Sequence, residues 1–165
     1  MSPVLSVVGK SGVGKTTLIE KLLPLLRARG LRVAVIKHHA HATPIDTPGK
    51  DTWRFAEAGA SAVFVSSPIE IARFERVPQE LSLKEIAARI ADVELILTDG
   101  FAREPSPKLE VCRLALGTDR VERGDEVVAI ASDYPIAAGV PRFHLDDAAG
   151  IASFVCEHLS LPAVP

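Results

Sequence analysis

Apolar positions in this chain repeat in two rhythms. Short unbroken runs read as buried strands: Val4 to Val8, the LRVAVIKH stretch ending at His38, and VELILTDGF around Leu95, Ile96 and Leu97. Between the first two, KTTLIEKLLPLLRARG sets Leu18, Leu22, Leu25 and Leu26 at helical spacing and stops at Gly30. Pro24 inside that pattern predicts a kink or a local opening. Strand, helix and strand in close succession make a βαβ unit, whose crossover is right-handed in nearly all cases.

The pattern continues with a polar loop from His38 to Lys50. Pro48 and Gly49 then turn the chain into a helix ending at Gly59, with Asp51 or Thr52 as its cap. SAVFVSS reads as a further strand, and IEIARFERV alternates apolar and charged residues like a strand with one wet face. SLKEIAARIAD is a helix opened by Ser82, with Glu85 completing a capping box. KLEVCRLAL, DEVVAIASD and RFHL are the remaining strands. DDAAGIASFVCEHL closes the fold as a helix capped by Asp146, and residues 161–165 form a tail. With no internal repeat, low-complexity tract or long linker, residues 1–165 read as a single domain. Its expected class is α/β, a mostly parallel sheet flanked by helices.

Composition narrows the function more by exclusion. At 165 residues the chain can bury roughly two thirds of its unfolded surface without staples. Its net charge of −2 gives no global attraction to nucleic acid or acidic lipid. Cys112 and Cys156 form no CxxC pair and read as buried core residues of a reducing compartment. The first residues lack the basic and apolar regions of a signal peptide, and no apolar run approaches the roughly 20 residues of a membrane span. A cytoplasmic protein is expected. The sequence contains no Asn.

The strongest chemical signal is GKSGVGKT, Gly9 to Thr16, which meets G-x-x-x-x-G-K-[ST] in full, with a strand before it and a helix after it. Gly9, Gly12 and Gly14 let the backbone wrap so that its N–H groups face one phosphate chain. The helix N-terminus adds its dipole there. Lys15 supplies charge to the outer phosphates, Thr16 offers a hydroxyl to Mg²⁺, and Thr17 reaches the inner phosphate. These features predict a P-loop NTPase three-layer sandwich. Lys10 is a second lysine in the loop. It either faces solvent or reaches across a dimer, as the corresponding lysine does in the MinD-like group. Those proteins usually follow it with glycine, where Ser11 stands here.

DTPG, Asp46 to Gly49, copies the DxxG signature of small GTPases, but its polar lead-in HHAHATPI contains Pro44 and cannot be a buried strand. Asp99, at the end of LILTD, is the better metal ligand, because such sheets bind ligands at the carboxyl ends of their strands. Lys37 ends the preceding strand of the βαβ unit and brings its charge beside the phosphates. His38, His39 and His41 follow it, either as a solvated loop or as a transition-metal site. Asp51 either caps its helix or orients an attacking water. The N/T-K-x-D element that reads guanine in GTPases is missing. Asp133, after the strand DEVVAIAS, is either a base reader in its place or a turn residue.

Taken in order, GKSGVGKTTL, IKHH, DTPGKDTWRFAEAGA, LILTDGF and VVAIASD resemble the MobB family of molybdopterin-guanine dinucleotide biosynthesis adapters over nearly the whole chain. The resemblance implies a homodimer that binds GTP and Mg²⁺. It also implies a weak GTPase assisting MobA, the guanylyltransferase that joins GMP to molybdopterin. It places Gly9, Lys10, Ser11, Gly12, Val13, Gly14, Lys15, Thr16 and Thr17 on the phosphates, Thr16 and Asp99 near Mg²⁺, and Asp133 at the guanine. Lys37 and Asp51 would line the same cleft. MobB proteins often carry Glu at the position of Asp99, and the shorter Asp favours holding the metal through water. Two other functions fit the loop: a P-loop small-molecule kinase or ligase using ATP, for which Arg103 and Lys108 would be lid residues, and a His-rich metallochaperone GTPase.

Overall fold

The computed structural model describes residues 2–39, 41, 44–121 and 124–162. Parts of the expected His38–Lys50 loop and of the expected tail lie outside them. The chain divides into two compact units: one takes the chain up to His38 and from Ser82 onward, the other His39–Leu81.

The first unit is built on a six-stranded sheet in the order β2-β5-β1-β6-β7-β8. The strands are β1 (Val4–Val8), β2 (Val33–Lys37), β5 (Leu95–Asp99), β6 (Lys108–Cys112), β7 (Val127–Ser132) and β8 (Arg142–Phe143). Every pairing among them is parallel. With helices flanking this parallel sheet, the expected α/β P-loop architecture is the observed one. The chain reaches β2 by way of α1 (Lys15–Ala28), comes back to β5 beside β1, and then crosses to β6 on the other side of β1. That reversal is the topological switch point, and it puts the Gly9 loop at the crevice where open α/β sheets bind ligands.

One sheet face carries Leu5, Val7, Leu95, Leu97, Leu109, Val111, Ala129 and Ala131, which share a core with Leu18, Leu22 and Leu26 of α1 and with Ile151 and Val155 of α4 (Ala148–His158). Helix α1 runs unbroken through Pro24. A mid-helix proline costs about 3 kcal/mol. Three buried leucines, Leu18, Leu22 and Leu26, each contributing about 1.5–3 kcal/mol, outweigh it. On the opposite face Cys112, Val127 and Ile130 pack with Tyr134, Ile136 and Val140.

Several expectations change. Strand β2 lies at the sheet edge and is only partly buried, with Val35 44% exposed, so its continuous apolar run does not mark a central strand. The cap of α4 is Asp147, whose side chain accepts from Gly150 N, while Asp146 pairs with Lys21 at 2.9 Å. Cys112 is buried as expected, but Cys156 is only half-buried. Leu161 is not part of a free tail, because it packs on the core. The capping box of α3 (Leu83–Ala87) forms as read: Ser82 accepts from Glu85 N, and Glu85 accepts from Ser82 N at 2.8 Å. Replacing Ser82 with alanine is expected to lower stability by about 1 kcal/mol, seen as a lower urea midpoint at unchanged slope.

In the second unit, α2 (Asp51–Glu57) precedes an antiparallel pair, β3 (Ala62–Ser66) and β4 (Ile71–Glu75). These two strands form their own small sheet. Phe64 stands opposite Arg73, whose guanidinium lies 5.4 Å from the ring centroid. Lys50 occupies the cap position of α2 without a side-chain bond, so neither Asp51 nor Thr52 caps it. The Thr52 hydroxyl instead donates to Asp46 Oδ1 at 3.0 Å, which ties the DTPG turn to the helix.

Candidate functional site

The glycines of the loop are set by geometry. Gly9, Gly12 and Gly14 have φ of 141°, 73° and 105°, conformations that L side chains rarely adopt. A Cβ on Gly9 would come within 2.4 Å of the Val111 carbonyl oxygen, so the close approach of β6 alone forbids a side chain there. The Leu18 N–H donates to the Gly14 carbonyl as the first bond of α1. The N–H groups before it lack helical partners, and with the helix dipole they form an anion-binding end. Lys15 Nζ donates to the carbonyls of Gly9 at 3.0 Å and Lys10 at 2.9 Å, which holds its ammonium over the loop.

Asp99 is the last residue of β5 and 7% exposed. Its Oδ2 accepts from Thr16 Oγ1 at 2.7 Å and from Lys37 Nζ at 2.8 Å. Burial alone would raise the carboxyl pKa. The bonds from Lys37 and Thr16, with the charges of Lys37 and Lys15, outweigh it and hold Asp99 below the usual carboxylate range. Three residues read from separate stretches of sequence therefore meet at one carboxylate oxygen. Two oxygen donors on neighbouring elements, one of them an ionised carboxylate, form a donor set that fits Mg²⁺ held with phosphate oxygens and water. The turn that follows is tight. Gly100 has φ 110° and faces His38 Cβ, and the ring of Phe101, at φ 61°, lies 4.3 Å from that of His38 with the planes tilted by 31°. A bulky residue in the left-handed region is strained, and such strain clusters at functional sites.

On the other side of the loop, Asp133 follows β7 and accepts from Leu114 N at 2.8 Å. Arg113 lies between it and the loop: Nε donates to the Val13 carbonyl at 3.2 Å, and Nη1 is 4.0 Å from Asp133 Oδ2. Lys10 Nζ donates to the Leu116 carbonyl at 2.9 Å within its own chain. Lys10 and Arg113 thus grip the Leu114–Leu116 turn against the phosphate loop. Beneath that turn Glu110, fully buried, accepts from Arg120 Nε at 2.7 Å and from Val121 N at 2.8 Å. Arg113 and Glu110 were not singled out from sequence. The only signal was two charges, Lys108 and Glu110, inside the otherwise apolar KLEVC run, with Arg113 just after it.

The other expected residues are placed differently. Asp51 belongs to the second unit, where its carboxylate is 81% exposed and 3.5 Å from Arg54. Lys108 is buried inside the fold and paired with Glu126, so it is not available as a lid residue. Among the described residues no three His, Cys, Asp or Glu side chains converge as a metal-ion site, which leaves the His38, His39 and His41 cluster without that geometry. No helix among them is long and apolar enough to cross a membrane.

Comparison with known proteins matches residues 4–133 to the family model described as molybdopterin guanine dinucleotide synthesis protein B. The chain is 37% identical over 155 residues to the molybdopterin-guanine dinucleotide biosynthesis adapter protein of Haemophilus influenzae, covering 93% of this chain and 87% of that one. It is also 37% identical over 163 residues to the adapter protein of that name from Escherichia coli, covering 95% and 93%. A crystal structure of molybdopterin-guanine biosynthesis protein B superposes with a TM-score of 0.78 at 34% identity, over 94% of this chain and 99% of that one.

Proposed function

The chain belongs to the molybdopterin guanine dinucleotide synthesis protein B family, and on that premise we propose that it is a GTP-binding adapter which assists attachment of GMP to molybdopterin. The observation that carries this reading is the convergence of Lys15, Thr16, Lys37 and Asp99 at the mouth of the Gly9–Thr17 loop. Residues Gly9 to Thr17 hold the phosphates, Thr16 and Asp99 hold Mg²⁺, and Asp133, at the carboxyl end of β7, reads the guanine in place of the missing Asn-based element. Mg²⁺ supplies charge neutralisation at the outer phosphates, and this chain's own contribution is to grip and orient the nucleotide. Hydrolysis is slow, because Asp99, the carboxylate bonded to the loop, is committed to Mg²⁺ instead of directed at water. The chain works as one nucleotide-binding domain in the cytoplasm, with a MobA-type guanylyltransferase as partner. The test is a reconstituted synthesis with that enzyme, molybdopterin and GTP. Added adapter raises product formation, and an unchanged yield removes the reading.

The second unit supports a homodimer. Ile45, Phe55, Phe64, Ile69 and Ile71 are each 59% or more exposed, and exposed large apolar side chains gathered in one small unit favour association. Charged substitutions at Phe64 and Ile71 together are expected to turn a dimer into a folded monomer in sedimentation. A wild-type monomer would remove the dimer from the account.

A further inference from the structure

Lys37 and Thr16 bond the same oxygen of Asp99, so a cation already sits where Mg²⁺ would need its charge. The two sides of the ion pair differ in freedom. The Asp99 side chain is 9% exposed and fixed in a central strand, whereas that of Lys37 is 56% exposed and ends the edge strand β2. An ammonium and a dication cannot share one carboxylate oxygen without strong mutual repulsion, which falls only slowly with distance at a partly buried site. The geometry points to Lys37 as the resident counter-ion of the metal site: it holds Asp99 ready, and it must swing away before a divalent cation is held there, so that Lys37 sets the cation affinity.

This inference rests on the reading of Thr16 and Asp99 as the metal site, and goes beyond it by making Lys37 a competitor of the metal, not only a phosphate contact. The exposed stem of Lys37 leaves it room to move, and phosphate oxygens arriving with the metal offer it a new partner. Loading of nucleotide and metal would then be a cation exchange at Asp99. Lys15, bonded to loop carbonyls and not to Asp99, stays in place.

The test is Mn²⁺ binding to the purified full chain without nucleotide, followed by electron paramagnetic resonance. Lys37→Met is expected to tighten Mn²⁺ binding by about tenfold or more, and Lys37→Arg to keep the wild-type value. In the Lys37→Met background, Asp99→Asn should remove the gain. Unchanged or weaker binding in Lys37→Met overturns the counter-ion role. If Asp99→Asn alone still lowers Mn²⁺ binding in that case, the metal-site reading survives it. Mn²⁺ binding indifferent to Asp99 in every background removes both. Circular dichroism confirms the fold of each variant, and an exposed Lys37 gives no reason for it to fail.

Discussion

Lys15→Ala is expected to lower nucleotide affinity by on the order of a hundredfold, about 2.7 kcal/mol, with the fold intact. The lysine bonds two of the loop's own carbonyls, at Gly9 and Lys10, and its ammonium is held over the concavity by both. Charge-assisted hydrogen bonds to phosphate are worth about 1.5–3 kcal/mol, so losing them accounts for a change of that size. The fold depends little on Lys15, since the carbonyls it leaves are only partly buried and water replaces it. A fluorescent GTP analogue measures the affinity, and thermal unfolding monitors the fold. Unchanged affinity would remove the phosphate role from the loop.

Glu110→Ala is expected to act on stability instead, costing about 3–5 kcal/mol. It would leave the largely buried Arg120 guanidinium without its carboxylate partner and the Val121 N–H without its acceptor. Against a domain stability of about 5–15 kcal/mol, that is a large fraction. Glu110→Gln keeps an acceptor for Val121 N–H and should cost less. Urea unfolding gives both values, and a loss below about 1 kcal/mol for the alanine variant would mean that water satisfies Arg120 equally well. Because Glu110 lies under the turn gripped by Lys10 and Arg113, the less damaging glutamine variant also reports whether that support reaches the nucleotide loop.

Local chemistry was legible and non-local order was not. Ser82 and Glu85 are three residues apart, and their reciprocal bonds depend on nothing outside the segment. The loop glycines are likewise fixed by a local wrap, although the 2.4 Å approach that forbids a Cβ on Gly9 comes from β6, about a hundred residues away. The apolar run of β2 gave no hint of an edge strand, because strand order is decided by which strands dock later on either side of β1. The alternation of IEIARFERV gave a strand with a wet face, but not an antiparallel sheet separate from the main one. Asp146 and Asp147 are chemically equal as caps. Lys21 engages the first, and the second takes the cap.

At the site, the meeting of Asp99 and Thr16 was legible because strand ends and the loop face one crevice in such sheets. That Lys37 binds the same Asp99 oxygen as Thr16 was not, since it requires β2 and β5 to be neighbours in register, Lys37 beside Asp99. Arg113 was hidden for the same reason: its role depends on the end of β6 lying against the loop, which the sequence of that strand does not announce.

The central claim is that this loop holds guanine nucleotide with Mg²⁺. Isothermal titration of the purified chain with GTP and with ATP, each with and without Mg²⁺, tests it most directly. The account predicts one GTP bound per chain, tighter with Mg²⁺ than without, and much weaker binding of ATP. Equal or tighter binding of ATP, or GTP binding indifferent to Mg²⁺, would contradict it.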